Sequence, residues 1–263
     1  MRDRVLLVRR TPFGESSLVV QGLARTHGRV HLLAKGAHRA TSRFAHTLDL
    51  LDTLQLEWHA KPDQELGTLA AGELAVRRRR ISGATDAWRA ATTTLELVDI
   101  AARPGEPDPR LFDLASLTLD RLDAGAPPEL TLTVFELLYL THVGLAPALD
   151  GCAACGRDAA EVQPGRAAFS AGAGGRLCPA HAAEARASGR RVGTLPTEVL
   201  AAAARFGATP FPALVASAPA PALIARVRDF IGRFLDYHLA ARPKSHRALL
   251  DAPSPDRPTS TAP

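Results

Sequence analysis

No stretch of this 263-residue chain approaches ~20 consecutive apolar residues, so a membrane-spanning helix is not expected. The start, Met1-Arg-Asp-Arg-Val, holds no apolar core of signal-peptide length, and no leader is expected either. Cysteine is scarce: three residues, all inside one short stretch. That fits a reducing cytoplasm better than a disulfide framework. Catalytic motifs are missing as well. No His-x-Glu precedes Cys152, where Ala148-Leu-Asp-Gly151 stands, so a nucleobase deaminase is not expected. Ala171-Gly-Ala-Gly-Gly175 lacks the Gly-Lys-Ser/Thr ending of a phosphate loop and reads as a turn. Gly14-Glu-Ser-Ser17 runs into a strand and makes no nucleophile elbow. His27 and His31 are four apart in an extended setting, the wrong spacing there for a metal pair. With no clustered carboxylates and no Ser/His/Asp set, the chain carries no enzyme signature.

What is present is apolar substance and unevenly placed charge. Hydrophobic residues make up 46% of the chain, enough for two or three small domains with at least one true core. The net charge of +5 hides a pattern. Residues 1–80 hold 14 Lys+Arg against 8 Asp+Glu, residues 81–150 hold 4 against 11, and residues 151–263 hold 14 against 8. An acidic middle between basic ends points to a polyanion partner for the ends.

The first 80 residues read as strands. Val5–Val8, Ser17–Val20 and Val30–Leu33 are short apolar runs separated by the turn signals Thr11–Gly14 and Thr26–Gly28. Thr53–Trp58, with clear alternation, and Thr68–Val76 complete five strands. That number suggests a small closed barrel, of OB type or SH3-like. From Ser82 the period becomes helical. Trp88, Ala91, Leu95, Val98 and Ala102 mark one buried face. Asp108-Pro109 opens a second helix, whose stripe is Leu111, Leu114, Ala115, Thr118, Leu119 and Leu122, and Gly125 closes it. A third helix, Glu129–His142, is apolar on nearly every side and should lie in the middle of a bundle. Two more helices are expected over Pro196–Phe206 and Pro221–Ala241, and a disordered tail over Asp251–Pro263.

Two constellations carry chemistry. Cys152-Ala-Ala-Cys155 and Cys178-Pro-Ala-His181 are ligand pairs with two residues inside each pair and 22 between them. That spacing makes a tetrahedral zinc site, and four protein ligands close it, so the metal would be structural. The alternative is that His181 only caps the following helix and the metal has been lost. The second constellation is cationic: Lys35, Arg39 and Arg43 fall four apart after the third strand, with Arg9 and Arg10 ending the first and Arg29 preceding the third. Thr41 and Ser42 could donate to phosphate oxygens beside them. Arg77–Arg80 form either a solvated hinge or a further nucleic-acid contact, and Phe13 and Phe44 either stack on bases or plug the barrel.

Taken in order, these motifs resemble one family. Pro12-Phe-Gly14-Glu-Ser16, Gly28-Arg-Val, Ala34-Lys35-Gly36-Ala and Ser42-Arg43-Phe44 resemble the N-terminal signature of the RecO recombination mediators. The likeness continues through Glu136-Leu-Leu, Gly144-Leu-Ala-Pro147, the Cys152–Gly156 turn, Phe169-Ser170, Tyr237-His238 and Lys244-Ser245, covering roughly residues 1–250. It implies an α+β, multidomain plan: an N-terminal OB-type β-barrel that binds DNA over 1–80, then an all-helical domain over 81–150 and 183–250, carrying a zinc-ribbon insert over 151–182. It implies a cytoplasmic, nucleoid-associated, non-enzymatic protein that binds single- and double-stranded DNA and anneals complementary strands. RecR, the C-terminal tail of single-strand-binding protein and, indirectly, RecA would be its partners, and one structural zinc its cofactor. On that resemblance Lys35, Arg39 and Arg43 would be phosphate contacts. His181 departs from the pattern, since zinc-bearing members commonly have a fourth cysteine there. A zinc-ribbon adaptor that works mainly through protein contacts and binds DNA weakly is the alternative reading.

Overall fold

In a computed structural model, residues 1–39, 42, 44, 47–61 and 64–239 are described. Arg43, Thr41, Lys244, Ser245 and the tail after Leu250 therefore lie outside the described residues. The chain divides into two compact units, one of residues 1–146 with 206–219, the other of 147–205 with the segment from 220 onward.

Strands β1 (Arg2–Phe13), β2 (Ser17–Ala24), β3 (Gly28–Ala34), β4 (Thr53–His59) and β5 (Leu66–Val76) close a barrel in the order β1-β2-β3-β5-β4. Every neighbouring pair is antiparallel except β3 with β5, which run parallel. This is the OB-like arrangement, and it settles the choice between the two barrel types. Alternation fills the interior: Val5, Leu7, Val20, Leu32, Leu54, Leu56, Trp58 and Leu69 point inward and are buried. Two glycines permit close approaches. A Cβ on Gly22 would sit 2.5 Å from Val5 Cγ1, and one on Gly28 (φ +70°) would sit 2.3 Å from the Glu106 carbonyl oxygen. The first turn falls later than Thr11–Gly14, because β1 stays paired with β2 as far as Phe13 opposite Ser17. Among the described residues β1 pairs with β4 only as far as Leu6, so Pro12 lies beyond that ladder, opposite Leu18 of β2.

Helices α1 (Thr85–Ala101), α2 (Pro109–Asp123) and α3 (Pro128–His142) pack beside the barrel in the same unit. Pro109 takes the first position of α2, and the Asp108 side chain accepts from Leu111 N at 2.9 Å as its cap. In α3, residues from Leu130 to Leu137 are all buried, as its apolar character requires. Trp88 departs from expectation. It is 42% exposed, and the buried face of α1 is carried by Ala87, Ala90, Ala91, Leu95, Leu97 and Val98 instead. Small residues at 87, 90 and 91 let α1 approach closely, which leaves no room for an indole on that side.

The second unit contains β6 (Arg166–Ser170), β7 (Gly175–Leu177), α4 (Pro179–Ala187) and β8 (Gly193–Pro196). The sheet order is β7-β6-β8, so the ribbon reaches past residue 182 to take its third strand. Helices α5 (Thr197–Ala208), α6 (Phe211–Ala216) and α7 (Pro221–His238) follow. Phe230 and Phe234 of α7 meet Phe169 of β6 edge-on, with ring centroids 5.2 and 6.0 Å apart.

Candidate metal centre and nucleic-acid interface

The metal ligands come from two local structures. Cys152 and Cys155 lie on a tight turn closed by Gly156 N donating to Cys152 O at 2.8 Å, with Gly156 at φ +70°. Cys178 follows β7 and occupies the N-cap position of α4, whose first turn carries Pro179 and His181. One helical turn brings His181 Nδ1 to 3.1 Å from Cys178 Sγ and 3.6 Å from Cys152 Sγ. Ala153 N donates to Arg176 O at 2.8 Å and ties the turn to β7. All four donor atoms lie within 4.8 Å of one another, so the spacing seen in the sequence becomes a single Cys₃His cluster.

The electrostatics favour thiolate at two of the three cysteines. Burial opposes ionisation of Cys152, but backbone N–H groups of Cys178, Cys155 and Ala154 outweigh it and draw the thiol down to about 6. The Cys178 thiol is lowered too, first by the backbone at His181 and then by the His181 ring. The backbone at Arg157 would lower Cys155, but burial and the neighbouring Cys152 and Cys178 sulfurs together outweigh it, and this thiol is raised. His181 is raised by its contact with Cys178, and its Nε2 faces Glu184 Oε2 at 3.9 Å. Three sulfurs and one imidazole nitrogen around one point suit a tetrahedral, borderline-soft cation such as zinc. A closed set of four leaves no position for a reacting water.

The cationic residues separate into two groups. Lys35 and Arg39 are exposed, and no ion pair of either is found among the described residues. They stand on the loop after β3, which the β1–β2 hairpin holds: Gly36 N donates to Ser17 Oγ at 3.2 Å and His38 N to Ser16 O at 2.9 Å. Gly36 has φ +68°, and the Arg39 stem crosses it at 3.3 Å from where a Cβ would be. Arg9, Arg10 and Arg29 have partners within the protein. Arg9 meets Asp99 Oδ2 at 3.3 Å, Arg29 donates to the Asp99 carbonyl oxygen, and Arg10 donates to Asp49 Oδ1 and Leu48 O at 2.8 Å each. Arg43 lies outside the described residues. Phe44 is buried in the barrel core, whereas Phe13 is 54% exposed on the hairpin, so the two rings have different roles.

Arg78 was not distinguishable from its neighbours in sequence. It is 5% exposed: Nε donates to Asp120 Oδ1 at 2.7 Å, and one guanidinium nitrogen donates to Leu51 O at 2.6 Å and Thr53 Oγ1 at 3.1 Å. Asp52 accepts from Arg78 N at 2.9 Å and faces Arg77 Nε at 3.0 Å. The run is thus neither a solvated hinge nor a free cationic stripe at its first two residues, although Arg79 and Arg80 are exposed. Arg25 and Asp113, 88 residues apart, pair through two bonds at 2.9 and 3.0 Å and carry no local sequence signal.

Residues 1–77 match the family model described as Recombination protein O N terminal, and residues 84–247 match Recombination protein O C terminal. A DNA repair protein RecO of Anaeromyxobacter sp. (strain K) is 32% identical over 251 residues, covering 94% of this chain and 96% of that protein. That of Myxococcus xanthus is 32% identical over 249 residues, covering 92% and 94%. That of Listeria monocytogenes is 29% identical over 173 residues, covering 66% and 65%. With its OB-like barrel, helical region and Cys₃His cluster, the chain belongs to the RecO family of DNA repair proteins.

Proposed function

We propose that this protein is a non-enzymatic recombination mediator that binds single- and double-stranded DNA and anneals complementary strands. It works with RecR to load RecA onto DNA coated with single-strand-binding protein, whose C-terminal tail it contacts. One structural zinc is held by Cys152, Cys155, Cys178 and His181, and the protein acts in the cytoplasm at the nucleoid. The domains are a DNA-binding barrel over 1–80 and a helical region over 81–150 and 183–250 around the metal insert.

The observation that supports this reading is that Lys35 and Arg39 are exposed and have no ion pair among the described residues, on a loop bonded to the β1–β2 hairpin of an OB-like barrel. Such barrels bind oligonucleotides on the face of strands 2 and 3 and the β1–β2 loop, and the Lys35 loop is bonded to that hairpin. Cations that are not already neutralised can release the counterions of phosphate, which drives binding. Arg43 joins them by sequence spacing. Arg9, Arg10 and Arg29 form the border of the surface, where a phosphate would compete with Asp99 and Asp49. When bound, zinc supplies four bonds that cross-link the Cys152 turn to the start of α4, and no reaction step.

Annealing of complementary strands pre-coated with single-strand-binding protein tests the function, with zinc measured in the same sample. The expected result is faster annealing than without protein and one zinc per chain. Unchanged annealing at low salt would overturn the reading. Charge reversal at Lys35 and Arg39 together should remove most DNA affinity and lower the salt dependence of log K for single strands by about 1.4, the share of two phosphate contacts.

A further inference from the structure

The β1–β2 hairpin displays an aromatic side chain. Phe13 is 54% exposed, so about half of its surface stays in water. Its place is specific. Phe13 lies opposite Ser17 across the hairpin, and Ser17 Oγ is the acceptor that holds Gly36 of the cationic loop. His38 N is bonded to Ser16 O on the same tip. The hairpin tip that carries Phe13 and the loop that carries the cations are therefore joined by two hydrogen bonds. The next rungs inward run Thr11–Val19–Leu33 and Arg9–Gln21–His31, a continuous strip across β1, β2 and β3. In five-stranded barrels of this type the β1–β2 loop and the faces of strands 2 and 3 are the parts that meet oligonucleotides.

We infer that Phe13 is a base-stacking residue: its ring takes the face of an unpaired base while Lys35 and Arg39 hold the flanking phosphates. An aromatic platform beside a cationic groove binds single strands without regard to sequence, because every base has a π face. A duplex offers no such face, since its bases already stack on one another. The hairpin end thus discriminates single strands from duplex, and the loop cations alone do not. This inference rests on the DNA-binding reading and adds to it the origin of strand selectivity.

The test compares an oligo(dT) with an abasic oligonucleotide of the same length, which keeps the phosphates and lacks the bases, and with a duplex. The wild-type chain should bind oligo(dT) about tenfold more tightly than the abasic strand. Phe13→Leu, which removes the ring from an exposed position, should bring that ratio close to one. Its duplex affinity and salt dependence should remain those of the wild type, which also shows that it folds. Phe13→Trp should keep the ratio. A Phe13→Leu chain that retains the full preference for oligo(dT) would overturn the stacking role while leaving DNA binding intact. No binding of any of the three nucleic acids by the wild-type chain would overturn the DNA-binding reading first, and this inference with it.

Discussion

Asp3 shows how much one side chain can organise. Its carboxylate accepts from Arg4 N and Thr26 N at 2.7 Å, from Thr26 Oγ1 at 2.9 Å, and faces His27 Nδ1 at 2.9 Å. Burial alone would raise its pKa, but the bonds from His27, Thr26 and Arg4 together hold it below the ordinary 3.8. A carboxylate with a depressed folded pKa stabilises the fold above its unfolded value and loses that contribution as pH falls through the folded value. Melting followed from pH 5 downward should therefore fall more steeply in the wild type than in Asp3→Asn. Parallel curves would remove Asp3 as the cause. At the metal cluster the decisive residue is His181. His181→Ala should lose its metal to a chelator that the wild type resists, while His181→Cys retains it, as read by metal analysis after dialysis. DNA affinity should change little in either variant. Equal loss of metal and DNA binding in His181→Ala would show that the clip and the DNA surface are coupled.

Among elements, the passage from β5 into the helices depends on a buried guanidinium. Arg78 binds the Leu51 carbonyl oxygen and Thr53 of the barrel and Asp120 of α2, so a single side chain joins the two layers of the first unit. Leu51 itself sits at φ +75°, a conformation costly for a leucine, and its carbonyl is one that Arg78 engages. Arg78→Met should cost about 3 kcal/mol in denaturant unfolding, moderated by the half-exposed state of Asp120. Arg79→Ala, on an exposed neighbour, should stay within about 0.5 kcal/mol. Trp88 gives the opposite lesson: a large apolar residue at helical spacing was displaced from the buried face by three alanines that allow closer packing.

For the whole molecule, the charge asymmetry takes on a second meaning. The surplus of acid over 81–150 meets the surplus of base over 1–80 inside one unit, through Arg9 and Arg29 with Asp99, Arg25 with Asp113 and Arg78 with Asp120. Part of what reads as attraction for a polyanion is thus complementarity between barrel and bundle. Lys35 and Arg39 take no part in that complementarity among the described residues. Asp99→Asn should weaken the hold on Arg9, whose partner is the Asp99 carboxylate, while Arg29 keeps its bond to the Asp99 carbonyl oxygen. DNA binding should strengthen by about two- to fivefold at low salt, a gain that vanishes as salt rises. No gain at low salt would mean that Arg9 lies off the path of the nucleic acid.

The barrel strands, the three bundle helices and the Cys₃His spacing were legible in the sequence because each depends on local periodicity or on ligands paired within a turn. Val5 to Trp58 alternate because a strand does, and Cys178 meets His181 because one helical turn joins them. The third ribbon strand was not legible, since Gly193–Pro196 has a place only against Arg166–Phe169. Nor could four successive arginines be told apart, because the burial of Arg78 depends on Asp52 and Asp120, 26 and 42 residues away. Phe13 and Phe44 looked alike for the same reason. Whether a ring plugs a barrel or meets solvent depends on where the chain closes, and closure is a property of five strands together.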